Sequence, residues 1–126
     1  MIPLSDAESI SEDVMDGAVR VVRQLFRHSF CTPVRYSLEQ IRIEQRYADG
    51  MAKSGTLLWS IDVKPVQADY VQTAYLDLTF DGEIVFPPAL FSDHQGQVRG
   101  FSDVSVRRFL GISALDDYSP PVLAQG

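Results

Sequence analysis

Leu76-Asp77-Leu78-Thr79-Phe80-Asp81-Gly82-Glu83-Ile84-Val85-Phe86 has the pattern of a β-hairpin. Asp-Gly between two β-prone runs is the strongest short-range hairpin signal, because a type I′ turn needs positive φ at both central residues. With Asp81 and Gly82 in those positions, Phe80 pairs with Glu83, Thr79 with Ile84, Leu78 with Val85 and Asp77 with Phe86. One face then carries Leu76, Leu78, Phe80 and Val85, and the other Tyr75, Thr79, Ile84 and Phe86. A sheet wetted on one side alternates apolar and polar residues. This hairpin is apolar on both faces, which predicts that another chain or the C-terminal segment covers Tyr75, Ile84 and Phe86.

Working outward, Leu57, Trp59, Ile61 and Val63 alternate with Leu58, Ser60, Asp62 and Lys64, the mark of a strand that Pro65 ends. Residues 70–80 form the next strand and residues 83–86 the fourth, after which Pro87-Pro88 stops pairing. Upstream, Val34, Tyr36 and Leu38 share one parity, while Ile41, Ile43 and Tyr47 share the other. One extra residue flips the face of a strand, so a bulge near Glu39-Gln40 makes residues 34–47 a single long strand. A helix from residue 38 to 48 is the alternative, but it scatters the apolar side chains around its wheel.

The N-terminal segment reads as a helix running to about His28. Ser5-Asp6-Ala7-Glu8 and Ser9-Ile10-Ser11-Glu12 both have capping-box form. Val14, Ala18, Val21 and Leu25, beside Met15, Val19, Val22 and Phe26, make a broad apolar face. Acids at the start and arginines near the end complement the helix dipole. Near the C-terminus Ser102 can cap a short helix through Leu110, with Gly111 after it. Residues 92–96 read as a loop.

The 126 residues suit one domain, residues 1–112, followed by an extended tail, residues 113–126. The expected fold class is α+β: one long N-terminal helix on a curved antiparallel four-stranded sheet, then a short helix. That element order resembles a cystatin-like or NTF2-like roll. Type III secretion chaperones are similar in size, acidity and a leading helix, but they close on a long helix that this chain lacks. Element order alone transfers no function.

The net charge of −6 argues against affinity built on phosphate neutralisation, so no nucleic-acid partner is expected. Arg20, Arg23, Arg27, Arg42 and Arg46 are interleaved with acids, as on a solvated, ion-paired surface. The single cysteine, Cys31, fits a reducing compartment. With no basic-then-apolar leader and no stretch long enough to span a bilayer, the expectation is a cytoplasmic protein without a membrane partner.

Candidate chemistry is sparse. Ile61-Asp62-Val63-Lys64 resembles the (D/E)-x-K half of the PD-(D/E)xK nuclease core, which implies Asp62 as a Mg²⁺ ligand and Lys64 beside the attacking water. That family also uses an upstream acid, usually after proline. The nearest is Asp49, in Ala48-Asp49-Gly50, and a strand rather than a helix follows the lysine. A solvated outward strand face explains the same tripeptide, so no metal and no cofactor are expected. Cys31 with His94 would make a thiol–imidazole pair only if folding joined them, and His28-x-x-Cys31 supplies two zinc ligands of the four a structural site needs. Trp59, Tyr70, Tyr75, Phe86 and Phe91 could line a pocket, with Asp77 as its polar group, or could simply be core.

The function that fits is a non-enzymatic protein–protein interaction module. It would be a subunit of a larger assembly, such as a phage or secretion-system component, or an immunity- or inhibitor-type protein. The partner is another protein or a second copy, docking on Tyr75, Ile84, Phe86, Pro87, Pro88, Leu90 and Phe91. The alternative is a small-ligand pocket enzyme of NTF2-like type, and after it a metal nuclease.

Overall fold

The computed structural model describes residues 5–25, 31–65 and 69–110. The fold is α+β, with short helices on one side of an open antiparallel sheet. The sheet holds six strands among the described residues rather than the four expected. They are β1 (Cys31–Arg46), β2 (Ala52–Pro65), β3 (Gln72–Asp81), β4 (Ile84–Phe86), β5 (Leu90–Ser92) and β6 (Val98–Gly100). The order is β1-β2-β3-β5-β6, with β4 also on β3, beside β5 along the same edge. The two additional strands have three residues each, too short to show a period in the sequence. The proposed tail, residues 113–126, and Gly111 lie outside the described residues, as do His28 and Phe26.

The N-terminal helix is divided. Helix α1 (Asp6–Ser9) is capped by Ser5, whose hydroxyl oxygen accepts from the Glu8 N–H as expected, while the Glu8 carboxylate accepts from the Ser5 hydroxyl rather than from its backbone N–H. Ile10 is extended and buried, which ends that helix after one turn. Helix α2 (Glu12–Leu25) starts afresh from Ser11, whose Oγ accepts from the Val14 N–H. The second cap is therefore Ser11 and not Ser9. Ser9 instead donates to the Ser5 carbonyl and accepts from Arg46. Arg46 also reaches Asp6 and the Gly50 carbonyl, tying α1 to the β1–β2 turn.

Helix α2 lays Val14, Ala18 and Val22 against the sheet, one residue per turn. Beneath them lie Leu57, Trp59, Ile61 and Val63 of β2 and Ala74, Leu76, Leu78 and Phe80 of β3, all buried. Each large aliphatic side chain fully buried this way contributes about 1.5–3 kcal/mol. Helix α3 (Asp103–Phe109), capped by Ser102 as expected, adds Val106, Phe109 and the following Leu110.

Strand β1 carries the bulge near Glu39. Leu38 pairs with Trp59 and Gln40 with Leu58, so Glu39 is the extra residue. Tyr36 and Leu38 before it, and Ile41 and Ile43 after it, accordingly all pack toward the core. Gly55 sits between Ile43 and Phe80 in register. A Cβ there would overlap the Arg42 carbonyl oxygen, so only glycine lets β1 close on β2.

The hairpin forms with a different register. Asp81 pairs with Ile84, Phe80 with Val85 and Thr79 with Phe86, so the two turn residues are Gly82 and Glu83 rather than Asp81 and Gly82. Gly82 takes a φ of +64°, the left-handed value the turn requires, and its N–H donates to the Lys53 carbonyl. The pairing differs from the expected one by two residues, an even number, so every side chain keeps its predicted face.

Candidate interaction face and groove

One face of the sheet has no helix on it among the described residues, and cross-strand partners share that face in rows. Arg35, Asp62 and Thr73 form one row; Ser37, Ser60, Tyr75, Ser92 and Val98 the next. Then come Gln40, Leu58 and Asp77, followed by Arg42, Thr56, Thr79 and Phe86, and last Ser54, Asp81 and Ile84. The β1–β2 half is mostly polar and cross-bonded: Asp62 accepts from Thr73 at the start of β3, and Ser60 donates to Glu39. The β3–β6 half is largely apolar. Tyr75 is 38% exposed, Phe86 46%, Leu90 55%, Ile84 62% and Val98 65%.

A groove of about 490 Å³ crosses this apolar half. Its origin is a break in pairing. Strand β3 pairs with β4 at Thr79 and with β5 at Tyr75, and Pro87-Pro88-Ala89 bulge away between those two points. Proline cannot donate to a ladder, so the strand leaves the sheet there. Leu58, Tyr75, Pro87, Pro88, Leu90 and Val98 wall the groove, and Asp77 and Thr79 add polar groups. Asp77 has no hydrogen-bond or ion-pair partner among the described residues.

Of the predicted interface residues, Tyr75, Ile84, Phe86, Pro87, Pro88 and Leu90 lie on this surface. Phe91 fits the expectation only in part: it belongs to the groove's lining, yet it is 2% exposed. It alternates with Leu90 and Ser92, so its ring turns to the core, 4.9 Å from the Phe101 ring and 5.1 Å from Phe109. The five aromatics weighed as one pocket lining do not assemble either. Trp59 is buried on the helix side, edge-on to Tyr36, while Tyr70 bonds the Leu110 carbonyl. Val98 and Leu58 were not foreseen. A hint for Val98 stood in Asp93-His94-Gln95-Gly96, which folds residues 93–97 into a tight turn joining β5 to β6.

Asp93 organises that turn. Its carboxylate accepts from the Gln95 and Gln97 N–H groups and pairs with Arg99 at 3.0 Å. Burial pushes the Asp93 carboxyl up, but those donors outweigh it and hold it below the usual carboxylate value.

The other candidates stay apart. Asp62 and Lys64 lie on the open side of β2, and the Asp62 carboxylate accepts from the Thr73 hydroxyl. Asp49 caps the β1–β2 turn by accepting the Met51 N–H. That turn is at the far end of β2 from Asp62, roughly 30 Å along the strand. Cys31 begins β1 and His94 sits in the β5–β6 turn, on opposite edges of the sheet. Among the described residues no three His, Cys, Asp or Glu side chains are grouped to hold a metal ion, and no helix is long and apolar enough to cross a membrane. No family model matches the chain, and neither a curated protein nor a solved structure is significantly similar to it.

Proposed function

We propose that this chain is a non-enzymatic protein-interaction module that docks a partner on the β3–β6 half of its open sheet face. One observation carries the reading: Tyr75, Ile84, Phe86, Leu90 and Val98 are all exposed on one side, and Tyr75, Leu90 and Val98 line one groove there. Scattered exposed apolar residues are ordinary, but a contiguous patch rimmed by polar groups marks a binding surface. Tyrosine and phenylalanine are also residue types enriched at protein interfaces. Assembly subunits, inhibitors and immunity-type proteins all work through such a face. A cystatin-like or NTF2-like roll is the expectation that the helix-then-sheet order suggests, and it carries no part of this reading.

The second reading is a small-ligand pocket enzyme, favoured by one observation: Asp77 stands among apolar walls in a concavity of about 490 Å³. The two readings separate by native size and partner. Under the first, the protein from its source elutes larger than the purified chain, and Phe86→Asp with Ile84→Asp abolishes the difference while leaving the melting temperature unchanged. A native species no larger than the purified chain, unaffected by those changes, would refute the interaction reading.

A further inference from the structure

We propose that the groove at the Pro87–Ala89 break receives a lysine or arginine side chain, carried between apolar residues of a partner protein. This rests on the interaction reading above and names the chemistry of the partner. The walls and the floor of the groove make different demands. Leu58, Tyr75, Pro87, Pro88, Leu90 and Val98 favour an apolar cover. Asp77 stands among them, exposed and without a partner of its own. A partner that covers the walls must also take Asp77 out of water. A carboxylate buried unpaired is strongly unfavourable, whereas one met by a cation and its donors is not.

The surroundings leave that cation to be supplied from outside. The row through Asp77 contains Leu58 and Gln40, neither of them basic. Asp81 and Glu83, at the turn beyond Thr79, add further negative charge, and the whole chain stands at −6. Residues 111–126 contain no lysine or arginine and carry Asp116 and Asp117, so the chain's own C-terminal segment would bring like charge to the groove. Complementarity of charge therefore selects a basic partner over that segment.

The test is a selection of short random peptides displayed on phage against the full chain, followed by binding of a synthesised selected peptide. Enriched peptides should carry lysine or arginine next to apolar residues, and binding should weaken with added salt. It should fall by about tenfold or more in Asp77→Asn, as when one partner of a charge pair at an interface is removed. Melting temperature should not change. Peptides without a basic residue that lose binding in Leu90→Asp would overturn the cation and leave the interface standing. Peptides that ignore both Leu90→Asp and Asp77→Asn would overturn both. A dimer of the purified chain that Leu90→Asp dissociates would assign the groove to a second copy and overturn the proposal.

Discussion

The two faces of the sheet come from the same strands and differ at every step. On β3, Ala74, Leu76, Leu78 and Phe80 are sealed under the helices, whereas Tyr75, Asp77, Thr79 and Asp81 look outward. The inner side is chosen for volume, with small Ala74 and Gly55 placed among large side chains. The outer side is itself divided: polar and cross-bonded over β1, β2 and the start of β3, with exposed apolar side chains gathered from Tyr75 onward through β6. A face serving only solubility would be polar throughout. The division sets the proposed docking half apart without reference to any motif.

Adjacent residues give the sharpest way to break this contrast. Leu76→Ala should cost about 2–5 kcal/mol, the range for emptying a buried leucine site. Asp77→Ala, one residue on, should stay within about 0.5 kcal/mol, as surface changes do. Urea unfolding of both variants measures the difference, and equal losses would show that the faces are not distinct. Gly82→Val tests the turn that holds both faces in register. Its positive φ is sparsely populated for a β-branched residue, so the loss should be about 1–3 kcal/mol. Partner binding should weaken with it, because Ile84 and Phe86 are placed by that turn. An unchanged melting temperature would show the turn to be tolerant.

The smallest effect concerns the carboxylates of the β3–β6 half. Of the four carboxylates there, Asp77, Asp81, Glu83 and Asp93, Asp93 is buried and fully partnered, where Asp77 is exposed and its side chain is alone. The Asp93 carboxyl is held below the ordinary carboxylate value that it has in the unfolded chain. Its contribution is therefore present above that value and lost as pH falls through the lower folded value. Melting curves from neutral pH down through pH ~3 should show this acid loss reduced in Asp93→Asn. Identical acid slopes in the two proteins would mean that the β5–β6 turn does not report on global stability.

Much of the fold was legible because period-2 alternation survives in long strands. Leu57 to Val63 declared its inner face outright, and the parity change between Leu38 and Ile41 located the bulge at Glu39. The faces of Tyr75, Ile84 and Phe86 were legible too, since even a misplaced turn shifts pairing by an even step. What was not legible depends on contacts distant in sequence. Asp-Gly indicates a turn but does not say whether glycine is its first or second residue. Phe86 to Phe91 reads as one apolar run, so nothing local separates Phe91, in the core, from Leu90, outside. The groove exists only once Val98 returns beside Ser92, and Asp77 gains its meaning only there.

The interruption at Pro87-Pro88 has one more consequence. An apolar sheet edge ordinarily invites a neighbouring molecule to extend the ladder, strand after strand, into a fibre. Here the edge is cut into two pieces of three residues, β4 and β5, separated by three residues of which two are prolines without donors, and β6 covers only the second. At the opposite margin β1 is long, but four irregularities of register break its regular stretches. Ile84, Phe86 and Leu90 are therefore displayed without offering other copies of the chain a template for endless stacking.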